Sequence, residues 1–78
     1  MPPRAIPLSR LNVGRTASVC HVGGRPEHVH RLAEFGLCRG SRVRMFRIGN
    51  PCIIHLGGSK VCLRIDDVAE IFVEPSPD

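Results

Sequence analysis

The chain has 78 residues, enough for one domain, and a domain of this size buries only about 60% of the surface its unfolded chain exposes, which leaves little scaffold for an active-site cleft. Its 42% hydrophobic and 23% charged residues exclude a disordered polyelectrolyte, and no apolar run reaches the roughly 18 residues of a membrane span or the roughly 7–15 of a secretion signal. The net charge of +4 rests on ten arginines and Lys60, scattered singly between apolar residues, and it suits an acidic protein, a nucleic acid or an anionic membrane surface equally.

A cytoplasmic location is the expectation from these features. Cys20, Cys38, Cys52 and Cys62 then fall in a reducing compartment, and none forms a Cys-x-x-Cys pair, so inert thiols are expected rather than a zinc ribbon or a redox motif. Prolines at 2, 3 and 7 and the closing Glu74-Pro75-Ser76-Pro77-Asp78 predict flexible tails over residues 1–7 and 75–78, around a folded domain at 8–74.

Within that domain the first strand spans Thr16 to Val22 and stops at Gly23-Gly24. A helix over Pro26–Phe35 follows. Pro26 suits the first turn, where its missing N–H is not needed, and Glu27 sits at the positive end of the helix dipole. Val29, Leu32, Ala33 and Phe35 form its apolar stripe, and Glu27–Arg31 and His30–Glu34 are i, i+4 neighbours. Gly36 ends the helix in a left-handed conformation, with Leu37 folding back as in a Schellman cap.

The second strand, Arg42 to Ile48, slips its alternation between Met45 and Phe46, the mark of a bulge. Gly49-Asn50-Pro51 ends it, and a third strand begins at Cys52 and runs to Leu56. Gly57-Gly58-Ser59-Lys60 is a hairpin turn, read as a two- or four-residue loop centred between Gly58 and Ser59. That centre sets His55 opposite Cys62 and Ile54 opposite Leu63. It puts residues 52, 54, 56, 61, 63 and 65 on one face, and Ile53, His55, Cys62 and Arg64 on the other. Asp66 to Glu70 forms a short helical turn before a fifth strand, Ile71-Phe72-Val73.

The fold class is therefore mainly β: a small barrel of about five strands with a helix inserted after the first strand. An SH3-like barrel and an OB-fold are the two architectures of this size, and the helical turn before the last strand favours the SH3-like one.

Arg31-Leu32-Ala33-Glu34-Phe35-Gly36-Leu37-Cys38-Arg39-Gly40-Ser41-Arg42-Val43 resembles the hallmark run of the ferrous iron transport protein A (FeoA) family. Leu8-x-x-Leu11-x-x-Gly14 resembles that family's opening, and Gly58 through Arg64, with Ala69 and Ile71, resembles its ending. The resemblance extends from Leu8 to Val73. It implies an SH3-like barrel that acts as a cytoplasmic accessory protein of ferrous iron uptake, binding and modulating a membrane transporter that carries a cytoplasmic GTP-binding domain. On this reading the chain meets the inner membrane only through that partner. The same barrel occurs as an appended domain in iron-dependent repressors. The motif residues are glycines at turns and leucines of a core, so they transfer fold more securely than mechanism.

Neither a cofactor nor a resident metal is expected. Cys20 and His21 point to opposite faces of a strand. His28 and His30 lie about 200° apart around a helix. The His55–Cys62 pair supplies only two ligands, short of the four of a structural zinc site. Catalysis is not expected either: Asp66-Asp67 reads as a helix cap, and Gly57-Gly58-Ser59-Lys60 lacks the phosphate-loop order. The alternative is a small nucleic-acid-binding or metal-responsive regulatory barrel. Against nucleic acid, there is no Tyr or Trp, and Phe35, Phe46 and Phe72 sit at positions a core would claim. A protein-binding surface is expected at outward Arg42 and Arg44, at His55 and Arg64 on the hairpin, and at the Leu37-Cys38-Arg39 corner. Arginine suits such a surface because its planar head pairs bidentately with carboxylates.

Overall fold

A computed structural model describes residues 2–77. Six strands form one antiparallel sheet: β1 (Ile6–Pro7), β2 (Thr16–Val22), β3 (Arg42–Arg47), β4 (Cys52–Leu56), β5 (Ser59–Leu63) and β6 (Ile71–Pro75). A 3-10 turn, Leu8–Arg10, follows β1; the helix α1 (Pro26–Glu34) joins β2 to β3, and the single-turn α2 (Ile65–Val68) joins β5 to β6. The hydrogen-bonded order is β1-β6-β2-β3-β4-β5, so β2 is shared between β3 and β6 and curls the sheet into a barrel.

The five strands expected from periodicity are all present. The sixth, β1, is two residues long and pairs Ile6 with Val73 and Pro7 with Phe72. Periodicity cannot show so short a strand, and it falls within the segment read as the N-terminal tail. At the other end Ser76 is buried, donates its N–H to the Thr16 carbonyl and accepts hydrogen bonds from the Arg15 guanidinium at its own carbonyl. Backbone pairing thus extends past both expected domain boundaries.

α1 starts at Pro26 as the proline requires, and Glu34 is its last helical residue. Gly36 then takes φ +91°, its N–H bonds the Ala33 carbonyl at 2.9 Å, and the Leu37 N–H bonds the Leu32 carbonyl at 3.0 Å. This pair of bonds is the Schellman motif. Of the apolar stripe only Leu32 is buried; Val29 is half-buried, and Ala33 and Phe35 are exposed. The helix rests on the barrel by a narrow contact.

The core is aliphatic, built from Leu8, Leu11, Leu32, Leu37, Met45, Ile54, Leu63, Ile71 and smaller neighbours. No phenylalanine belongs to it: Phe35 is 58% and Phe46 44% exposed, while Phe72 on β6 is half-buried. That overturns the expectation that a core would claim all three. The bulge explains Phe46. β3 pairs Met45 with Ile54 but Arg47 with Ile53, so Phe46 is the extra residue and stays on the outward side with Arg44.

The hairpin register also differs by two residues. Leu56 opposes Ser59, His55 opposes Lys60, Ile54 opposes Val61 and Ile53 opposes Cys62. Gly57 and Gly58, with φ +59° and +86°, form the two-residue loop. Positive φ at both central positions defines a type I′ turn, which matches the strand twist and wins over a loop containing Ser59. A two-residue shift preserves the division into faces, but it separates His55 from Cys62 and removes the expected cross-strand pair. Ile65 leaves the strand face altogether and opens α2, 64% exposed.

Candidate functional site

Strand β3 alternates buried Val43 and Met45 with exposed Arg42 and Arg44, so both guanidinium groups leave the same face of the sheet. Register carries the pattern sideways. Thr16 on β2 opposes Arg44, Arg44 opposes His55 on β4, and His55 opposes Lys60 on β5. Phe46 lies over this row. Its ring stacks on His55 at 5.0 Å between centroids and 24° between planes, with Lys60 Nζ 4.2 Å from its centre. A cation on an exposed aromatic face stabilises by about 0.5–1 kcal/mol, enough to bias where the Lys60 ammonium sits.

The two arginines are partly anchored. Arg44 Nε donates to the Gly14 carbonyl at 3.2 Å, and Arg42 Nη2 donates to Ser76 Oγ at 3.4 Å. One donor of each head is fixed and the others face solvent, an arrangement that reduces the entropy lost when a carboxylate docks. Neither head has an acidic partner, because the two ion pairs among the described residues both converge on Asp67. Five of the seven acidic residues lie on or next to the helices: Glu27, Glu34, Asp66, Asp67 and Glu70. The outer face of β3–β5 is consequently cationic, with Glu74 lining a groove beside Arg42, while on the helical side acidic residues alternate with Arg25, Arg31 and Arg64.

The expected contact residues divide accordingly. Arg42, Arg44 and His55 converge on one face. Arg39 lines a separate groove with Cys20, His21 and Cys38, and Arg64 lines another, between β5 and α1. Leu37 is only 1% exposed and sits in the core, so it cannot present a contact. Its place in the Schellman motif, legible in the sequence, is the reason: the residue after the left-handed glycine folds back onto the helix. Phe46 and Lys60 join the face although neither was expected there. The signal for Phe46 was the slipped alternation, which has two solutions, one outward and one inward.

Asp67 holds the opposite side together. Its Oδ2 accepts the Arg64 N–H at 3.0 Å and its Oδ1 accepts from Arg31 Nη2 at 3.3 Å. His28 Nε2 lies 3.2 Å from the same Oδ1, within ion-pair distance but outside hydrogen-bond geometry. Asp67 thus caps α2, as the acidic pair suggested, and ties it to α1. Arg31 turns to Asp67 rather than to Glu27.

Among the described residues no group of three or more His, Cys, Asp or Glu side chains is placed to hold a metal. The four cysteines are free thiols; Cys38 and Cys62 are exposed, Cys20 is half-buried, and Cys52 is buried with its Sγ 3.7 Å from Met45 Sδ. Burial pushes the Cys52 thiol pKa up by desolvating the thiolate. Iodoacetamide at neutral pH should therefore label Cys38 and Cys62 first and leave Cys52 unmodified until denaturant is added, as peptide mass spectrometry can read. The folded state keeps the Cys52 proton to higher pH than the unfolded chain does, so this group's contribution to stability falls as pH rises past the ordinary thiol range, about 8.5. Denaturation midpoints across that range should decline, and less so in Cys52→Ala.

The fold and the site define a small SH3-like barrel protein with a helix inserted between β2 and β3. The FeoA domain family matches residues 6–75, and the chain belongs to that family, which is associated with ferrous iron transport as an accessory factor and is not a known enzyme family. An iron uptake regulatory protein (FeoA) superposes with TM-score 0.85 at 22% identity, over 92% of this chain and 99% of that one. FeoA from Chlorobium tepidum gives 0.85 at 28% identity over 94% and 73%. Stenotrophomonas maltophilia FeoA, solved with zinc and described as a procaryotic SH3 domain protein, gives 0.75 at 28% identity over 88% and 89%. T. acidophilum IdeR shares the fold at TM-score 0.88 and 18% identity, but this chain spans only 36% of its length. No curated protein sequence matches the chain. No helix is long and apolar enough to cross a membrane among the described residues.

Proposed function

We propose that the protein is a cytoplasmic accessory factor of ferrous iron uptake that binds and modulates the GTP-binding domain of a membrane ferrous-iron transporter. Its contact is the face of Arg42, Arg44 and His55. The observation that carries this reading is the set of anchored guanidinium heads with no acidic partner, beside an exposed Phe46. Arginine and aromatic residues are enriched at the centres of protein interfaces, and a uniform field of one sign steers a partner of the other. Family membership supplies the transport context, and a role as a ferrous iron transport activating factor has been suggested for the Stenotrophomonas relative.

Reversing both charges, Arg42→Glu with Arg44→Glu, should weaken capture of the transporter's GTP-binding domain by about tenfold or more and abolish the salt dependence of its on-rate. The thermal transition should barely move, since both side chains are exposed. Undiminished capture by the folded variant would place the contact elsewhere. Single-stranded nucleic acid is the second reading, and exposed Phe46 speaks for it more than the sequence did. The ring is already engaged by His55 and Lys60, however, so a stacking base would have to displace them.

A further inference from the structure

β5 ends the hydrogen-bonded order of the sheet, and among the described residues its far side pairs with no other strand. The closing Leu56–Ser59 pair of a two-residue hairpin exchanges both of its backbone bonds. Alternation from that pair directs the N–H and C=O groups of Val61 and Leu63 toward β4, and those of Lys60 and Cys62 away from it. Neither Lys60 nor Cys62 takes part in any backbone bond of the turns, loops or caps among the described residues, and both are exposed. The strand therefore presents two donors and two acceptors at extended-chain spacing.

This edge is not a bare rim. Helix α1 runs beside it across a groove whose walls are Arg31 and Phe35 on one side and Cys62 and Arg64 on the other. Phe35 is the apolar part, 58% exposed. The charge is one-sided. Among the described residues Arg64 has no acidic partner, and the carboxylate that lines the groove, Asp67, accepts from Arg31 and from the Arg64 N–H.

We propose that this groove accepts an extended acidic segment of a partner protein, which adds to β5 as a seventh strand. Its backbone pairs with the main chain of Lys60 and Cys62, an acidic side chain lies beside Arg64, and an apolar one lies against Phe35. Backbone pairing supplies affinity in such strand addition, and alternate side chains supply selectivity. A second copy of this chain is disfavoured as the occupant, because edge-to-edge pairing would bring Arg64 of two chains of net charge +4 onto one seam. The proposal rests on the chain being a partner-binding module, and it adds a mode of contact that the Arg42–Arg44–His55 face does not require.

The probe is an end-capped eight-residue peptide of alternating valine and glutamate, titrated into the isotope-labelled protein and followed by amide resonances and hydrogen exchange. The Lys60 and Cys62 amides should shift and become protected. A peptide N-methylated at the amides that face the edge, and one with lysine for glutamate, should each bind at least about tenfold more weakly. Cys62→Pro removes a donor that β4 does not use, so it should leave the sheet intact and abolish binding. Arg64→Glu keeps every backbone group and should reverse the preference toward the lysine peptide, which tests the proposal even if the proline variant fails to fold. No shift at Lys60 and Cys62 with millimolar peptide, equal affinity for the N-methylated peptide, or sedimenting dimers with these amides protected in the absence of peptide would each overturn it. The transporter domain enters none of these readouts, so this proposal and the Arg42–Arg44 reading can fail independently.

Discussion

Leu37→Ala should destabilise the protein by about 2–5 kcal/mol, the range for truncating a fully buried leucine. A domain of this length is stabilised by about 4–12 kcal/mol in total, at 0.05–0.15 kcal/mol per residue. The variant should therefore melt far below the parent or be largely unfolded at physiological temperature. Leu37 is 1% exposed, belongs to the same core cluster as Leu32, and follows the glycine that reverses the chain at the end of α1. Its N–H bond to the Leu32 carbonyl survives truncation, so the loss is of packing alone. A urea titration checks it, and an effect below about 0.5 kcal/mol, the scale of a surface substitution, would contradict the placement. Loss of partner binding in this variant would report unfolding rather than a lost contact.

Asp67→Ala should cost about 1–3 kcal/mol, chiefly through the groups it strands. The Arg64 N–H loses its acceptor at the start of α2, and His28, whose side chain is 25% exposed, loses the carboxylate oxygen 3.2 Å from its Nε2. The Arg31 pair adds little, because that side chain is 59% exposed and solvent screens it. Asp67→Asn retains an oxygen acceptor for the cap and should recover about half of the loss. A carboxylate acting only as a diffuse surface charge would make the two variants equal, so their difference in denaturation midpoint is the informative number. The same substitution opens the α1–α2 side of the groove beside β5, and it should leave the Arg42–Arg44 face untouched.

Local chemistry made much of this fold legible. β2 and β4 occupy the residues that β-branched composition and turn signals marked out. The helix begins at Pro26, and its end follows from one glycine whose φ of +91° other residues avoid. Those signals act over a few residues and need no tertiary partner. β1 was invisible because two residues carry no period, and it exists only because Phe72 and Val73 offer an edge to pair with. The phenylalanines show the limit most clearly. Hydrophobicity alone assigned them to the core, yet a core of leucine, isoleucine, valine and methionine closes without them.

The candidate face divides in the same way. Arg42 and Arg44 were readable as outward because alternation fixes the side of a strand. Their company was not. Whether His55 meets Cys62 or Lys60 depends on a two-residue choice of hairpin register, which preserves every face and so leaves no trace in the apolar pattern. The sequence by itself determined the barrel class, the helix and its cap, and the basic character of one sheet face, because periodicity and turn chemistry are local. Only the tertiary structure decided that Phe46 joins His55 and Lys60, and that β5 keeps an open edge. Each of these depends on which strand lies beside which, and that is settled by packing between residues distant in the chain.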